Sequence, residues 1–210
     1  MEDSCVSLPE LDGFQPPPEK KRPGQSRGDS PRFILVSGPK PSGKTTLVET
    51  VIATLAGREL RIAGILAQGL WRDGLRAGFD LINLASGQRV PLARRRNDPH
   101  SQHGRIFDFF ESGFRAGAEA LDTCRRANLV VVDEIGRLEA RGEGWASRLR
   151  ELLTLEGPLL ILVARLDCIP RIRDRFGFHD TPVIDVRDPD ALDRLRAVVG
   201  AGSPDQSVLE

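Results

Sequence analysis

The sequence predicts an α/β fold: a mainly parallel sheet covered by helices on both faces, with a β-hairpin inserted. Three observations carry this. Phe33-Ile34-Leu35-Val36, Leu129-Val130-Val131-Val132 and Leu159 to Val163 are apolar throughout, as strands buried on both faces are. Stretches of helical length separate such runs, long enough to return the chain parallel to itself. Two partly alternating runs, Ile62 to Trp71 and Leu75 to Leu84, meet at Arg72-Asp73-Gly74, the spacing of a hairpin, expected at a sheet edge or folded over one rim.

In chain order, the strand at Phe33 feeds a glycine-bearing turn and a helix from about Lys44 to Leu55. The hairpin follows, then a polar, arginine-rich loop over Arg94 to Gly104. Next come a strand from Ile106 to Phe109, a helix near Gly113 to Ala127, and the strand Leu129 to Val132. A helix near Glu139 to Leu155 leads to the strand at Leu159, Pro170 opens a short helix, and Val183 to Val186 is a further strand. Pro189 opens the last helix, ending near Val199.

Residues 1–32 differ from the rest. They hold six prolines, including Pro16-Pro17-Pro18, and few apolar residues. Such a segment cannot bury enough surface to offset its ordering entropy, so a disordered leader is expected. Its run Pro16 to Lys21 has the composition of a polyproline II ligand for an unidentified protein partner. The folded domain is then 33–200, with a flexible tail over 201–210.

Composition excludes several classes. Thirty basic residues balance thirty acidic ones, so no excess charge drives the whole chain onto nucleic acid or anionic lipid. The longest strictly apolar stretch is Leu159 to Ala164, far short of the ~20 residues that span a membrane. Cys5, Cys124 and Cys168 are too scattered for a disulfide framework, and a cytoplasmic location is expected. His100 and His103 lack the converging partners a zinc site needs. Arg94-Arg95-Arg96 lacks an aromatic platform and is followed by Asp98, so a solvated loop is expected. Trp145 reads as packing, and Trp71, near the hairpin tip, as packing or a stacking face for a base.

Gly38-Pro39-Lys40-Pro41-Ser42-Gly43-Lys44-Thr45-Thr46 matches G-x-x-x-x-G-K-[ST] between an expected strand and an expected helix. The glycines let consecutive backbone N–H groups surround a phosphate, and the helix N-terminus adds its positive end. Lys44 suits the β- and γ-phosphates of a nucleotide, and the Thr45 hydroxyl suits Mg²⁺. Farther on, the apolar strand ends in Asp133, the pattern of a carboxylate that holds the same Mg²⁺ beside the loop after the first strand. Glu134 follows and is the candidate to orient or deprotonate an attacking water. Val132, Ile135 and Gly136 frame the two acids and are expected with them, and with Gly38 to Thr46, to line the nucleotide site. Arg137, and secondarily Arg165, are candidates to neutralise charge on the transferring phosphate.

These segments resemble the thermostable and cancer-related type of nucleoside-triphosphatase, a RecA-like P-loop family. The resemblance rests on Gly38 to Thr46 and on Val132-Asp133-Glu134-Ile135-Gly136-Arg137-Leu138-Glu139. Arg76-Ala77-Gly78-Phe79-Asp80-Leu81 and Gly104-Arg105-Ile106-Phe107-Asp108 also take part, and the likeness extends over about 33–195. It implies slow Mg²⁺-dependent hydrolysis of nucleoside triphosphates with little base selectivity, and roles for Lys44, Thr45, Asp133 and Glu134. The chain departs from the family pattern in its proline-rich leader and in Arg137, where lysine is usual. It departs again in Asp188-Pro189-Asp190-Ala191, where relatives carry Asn-Arg. Two other readings use the same loop: a small-molecule or nucleoside kinase with 94–105 as its lid, and a nucleotide-gated accessory protein that turns over only with a partner.

Overall fold

The computed structural model describes residues 32–55, 57, 59–96 and 106–201. Residues 1–31 of the expected leader, 202–210 of the expected tail, and both His100 and His103 lie outside them, whereas Arg32 bonds the Leu153 carbonyl and Ala201 ends the last helix. The strands are β1 (Phe33–Gly38), β2 (Ile62–Arg72), β3 (Leu75–Asn83), β4 (Arg89–Arg95), β5 (Phe107–Phe109), β6 (Leu129–Ile135), β7 (Leu159–Arg165) and β8 (Val183–Asp185). The helices are α1 (Lys44–Thr54), α2 (Glu111–Asp122), α3 (Arg137–Arg141), α4 (Ala146–Thr154), α5 (Ile169–Phe176) and α6 (Ala191–Ala201).

Among the described residues the strands form one sheet in the order β5-β4-β3-β2-β6-β7-β1-β8. The five strands from β2 to β8 in that order run parallel, and β3, β4 and β5 extend the sheet antiparallel from β2. The apolar strands alternate faces residue by residue. Leu160, Leu162, Val130 and Val132 pack with Leu149, Leu152, Leu121 and Ile172 under α2, α4 and α5. Leu159, Ile161, Val163, Leu129 and Val131 pack with Val48, Val51, Leu195 and Val199 under α1 and α6. Both faces are therefore covered, as a parallel sheet requires. No helix among the described residues is long and apolar enough to cross a membrane.

Three expectations are corrected. The hairpin does not fold over a rim: β2 pairs in parallel with β6, so β2 belongs to the core and β3 continues the sheet plane. The segment read as a polar loop from Arg94 is at first a strand, because β4 pairs with β3 and buries Leu92 and Ala93; residues 97–105 lie outside the described part. The helix expected over Glu139 to Leu155 is two helices, with Gly142 and Gly144 between them. Although β7 stands between β6 and β1, Asp133 does lie beside the loop after the first strand, as expected, within a hydrogen bond of Thr45.

Candidate active site

β1 delivers the chain into the loop after Gly38, and Gly43 (φ 81°) turns it into α1. That left-handed backbone is one that few residues besides glycine adopt without strain. Lys44, the first residue of α1, is buried and folds back over the loop, its Nζ donating to the carbonyls of Gly38 (3.2 Å) and Pro39 (3.1 Å). Burial lowers its pKa from the ordinary lysine value, opposed by Glu134, whose Oε2 lies 3.9 Å away. Lys40, in the middle of the loop, pairs with the other oxygen of the same carboxylate at 3.4 Å. Two ammonium groups from one loop thus converge on Glu134.

Thr45 reaches across the intervening strand: its Oγ1 donates to Oδ2 of Asp133 at 2.7 Å. Asp133 also accepts a backbone hydrogen bond from Ala67 on β2. It is fully buried, and burial pushes its pKa up to about 7 against those hydrogen bonds and Lys44. At Glu134 the ladder slips, since Asp133 pairs with Val163 and Ile135 with Ala164, leaving Glu134 as the extra residue. Such bulges re-aim a side chain, here toward Lys40 and Lys44. Val132 and Ile135 are buried on either side of the acids.

Gly136 ends the strand, and its N–H donates to Oε2 of Glu139 at 2.9 Å, while the Trp145 N–H donates to Oε1 at 3.2 Å. Glu139 thereby holds the starts of α3 and α4 together just past Glu134. Arg137 and Arg165 both turn to Asp167, Arg137 at 3.5 Å and Arg165 through two bonds of 3.0 and 2.7 Å. The two arginines that sequence singled out are therefore held by the same carboxylate, and Arg165 remains close enough for its charge to help lower the Lys44 pKa. Arg94, read as solvated, bonds Asp80 at 2.7 Å. Trp145 is buried, its Nε1 donating to the Phe114 carbonyl, whereas Trp71 is 57% exposed with the Arg76 guanidinium over its ring. Sequence reasoning gave Arg76 no role at the site. The available signal was an arginine five residues from a hairpin-tip tryptophan, on the strand after the one that pairs with β6.

Gly38 to Thr46 and the acids Asp133 and Glu134 lie at the C-terminal ends of parallel strands, where open α/β sheets bind ligands. A glycine loop running from a buried strand into a helix N-terminus, with its lysine turned inward, makes this an α/β protein of the P-loop NTPase class. The family model described as NTPase matches residues 33–189, and the chain belongs to that enzyme family. It is 28% identical over 163 residues to the nucleoside-triphosphatase THEP1 of Methanosarcina barkeri, an alignment covering 76% of this chain and 91% of that one. It is 29% identical over 140 residues to the cancer-related nucleoside-triphosphatase homolog of Mus musculus, covering 62% and 73%. Two solved structures share the fold. The solution structure of a human cancer-related nucleoside triphosphatase matches with a TM-score of 0.64 at 23% identity, over 85% of this chain and all of that one. The crystal structure of THEP1 from Aquifex aeolicus gives 0.56 at 20%, over 79% and 98%.

Proposed function

We propose that the protein hydrolyses nucleoside triphosphates to the diphosphate and inorganic phosphate, with Mg²⁺ and with little selectivity for the base. The observation that carries this reading is the Glu134 carboxylate, set at a bulge one residue beyond the buried Asp133 and facing Lys40 and Lys44. A carboxylate at that point is within reach of a water attacking the terminal phosphate. The relatives are named as nucleoside-triphosphatases, which supports a nucleoside triphosphate as the substrate class.

The donor set fits Mg²⁺, a hard cation that takes oxygen ligands, keeps several waters and shares its coordination with substrate phosphates. Thr45 and Asp133 offer a hydroxyl and a carboxylate bonded to each other, and the buried acid has no cationic hydrogen-bond partner among the described residues. Bound there, the cation would neutralise charge on the β- and γ-phosphates. The protein's own groups divide the remaining work. The backbone of Gly38 to Gly43 and the N-terminus of α1 cradle phosphate oxygens. Lys44, already turned into the loop, exchanges its carbonyl partners for phosphate, and Glu134 accepts a proton from the attacking water.

Adjacent acids give the test. Asp133→Asn should weaken Mg²⁺-dependent nucleotide binding as well as rate, because a cation ligand serves ground and transition states alike. Glu134→Gln should retain nucleotide affinity and slow single-turnover phosphate release by about 10²–10⁴-fold, the range for a lost general base. Release is measured from protein and nucleotide alone, so turnover there also argues against a kinase or a partner-gated module. Glu134→Gln with parental rates would remove the hydrolase assignment of that residue.

A further inference from the structure

Arg137 and Arg165 are both paired to Asp167, and β3 offers a further positive charge for a transferring phosphate. The guanidinium carbon of Arg76 lies 4.1 Å from the centre of the Trp71 ring and 5.1 Å from that of Phe79. Among the described residues this guanidinium contacts rings and forms no ion pair. Its Nη1 sits 1.1 Å from where a Cβ on Gly69 would stand, so it takes the place of a side chain on β2 that only glycine leaves open.

Gly69 is two residues beyond Ala67, whose N–H is the backbone donor to Asp133. Two residues advance about 7 Å, so the guanidinium stands a short step past the Asp133 partner, toward the end of the sheet where the phosphate loop opens. The acids whose fields act on Arg76 are Glu134 and Asp133, opposing the effect of its partial burial. A cation over an exposed ring is weakly held, and the arm can exchange ring for phosphate.

We propose that Arg76 is a catalytic residue of the hydrolysis, supplied in cis by the hairpin, which leaves the Trp71 ring and donates to the non-bridging oxygens of the γ-phosphoryl group during transfer. The bond that forms joins the water oxygen to the γ-phosphorus. The bond that breaks joins that phosphorus to the β–γ bridging oxygen, whose electron pair stays with the departing diphosphate. The water proton passes to Glu134, and inorganic phosphate is released. Arg76 exchanges no proton and contributes only charge, held where charge moves in the transition state. This inference rests on the hydrolase reading above.

Parent, Arg76→Ala and Arg76→Lys are compared in single-turnover phosphate release and in equilibrium affinity for ATP and ADP. Tryptophan emission is followed on adding ADP with Mg²⁺ and aluminium fluoride, with Trp71→Phe identifying the Trp71 signal. Arg76→Ala should slow release by about 10³-fold or more, the lower end of what a supplied arginine contributes, while ATP affinity moves by less than about threefold. Lysine should restore only part, because an ammonium lacks the planar fork of the guanidinium. The Trp71 emission should change in the parent and stay constant in Arg76→Ala. An Arg76→Ala rate within about threefold of the parent overturns the assignment and leaves the hydrolase reading standing, as do ATP and ADP affinities that fall as far as the rate. A parent that releases no phosphate overturns the hydrolase reading, and this one with it. Thermal melts establish that each variant folds. If the alanine variant does not, Arg76→Gln replaces it under the same criteria.

Discussion

Asp133 shows how much one side chain can report. Its carboxyl titrates near 4 in an unfolded chain and is pushed up to about 7 by burial in the fold. Between those values the native protein holds more protons than the unfolded one, so this group makes stability fall as pH rises through the window and level off above about 7. Urea unfolding of parent and Asp133→Asn without divalent cations, from pH 4.5 to 8, should show this slope in the parent and a flatter profile in the amide variant. A parent no steeper than Asp133→Asn would mean that the acid ionises freely. On the proposed site Mg²⁺ would compete with the proton at the same oxygens, so its stabilising effect should grow with pH across that range. At the loop, Lys44 is buried against two carbonyls whereas Lys40 is half exposed. Lys44→Ala should therefore weaken ATP binding far more than adenosine binding in calorimetry; equal losses, or none, would remove Lys44 from the phosphates.

At the scale of elements, the turn from β6 into α3 and α4 is where the fold fixes the position of Glu134. Glu139 accepts from the N–H groups of Gly136 and Trp145 while buried, and burial raises its pKa. Glu139→Ala orphans both donors, at a cost of about 1–3 kcal/mol for each one left buried without a partner. Denaturant unfolding should show that loss, with Glu139→Gln losing less because its amide oxygen still accepts one bond. A neutral alanine variant would mean that water replaces the carboxylate. Glu139 was legible in the sequence only as part of a motif, because its two donors become neighbours only after the chain turns at Gly142 and Gly144. Elements whose information is local were read nearly in full: β1, α1, β6 and β7 are apolar runs or a glycine loop with clear punctuation. β4 was not, since Arg-Val-Pro-Leu-Ala-Arg-Arg has the composition of a loop. It is a strand because β3 pairs with it, with a slip at Phe79/Asp80 that accommodates Pro91. Tertiary pairing overrode propensity there. The acids and the phosphate loop were legible for the same local reason. Arg76 and the Asp167 trap for Arg137 and Arg165 were not, because each depends on which strands and loops become neighbours.

For the whole molecule, the sheet order links nucleotide binding to global stability. The groups proposed to meet the nucleotide come from the ends of β1 and β6, from the start of α1 and from β3, spanning both sides of the core strand β7. A ligand that engages all of them binds only when the sheet is assembled, and so stabilises the folded state by mass action. At a hundredfold excess over Kd this amounts to about 2.7 kcal/mol, which for a domain of this size raises Tm by about 5–10 °C. The sheet is covered on both faces by elements that begin at Phe33. We therefore propose that 33–200 is the folding unit and that 1–31 add nothing to its core. Removing 1–31 should leave Tm within about 1 °C, under the ~2–4 °C shift expected from 1 kcal/mol of lost core, and should leave the ATP–Mg²⁺ shift unchanged. Lys44→Ala should abolish the shift while keeping the Tm measured without nucleotide near that of the parent. Scanning calorimetry of the full chain, the truncated chain and Lys44→Ala, each with and without ATP and Mg²⁺, checks all of this. A truncated chain that melts several degrees lower would mean that the leader docks on the domain, and an undiminished shift in Lys44→Ala would mean that the nucleotide binds elsewhere.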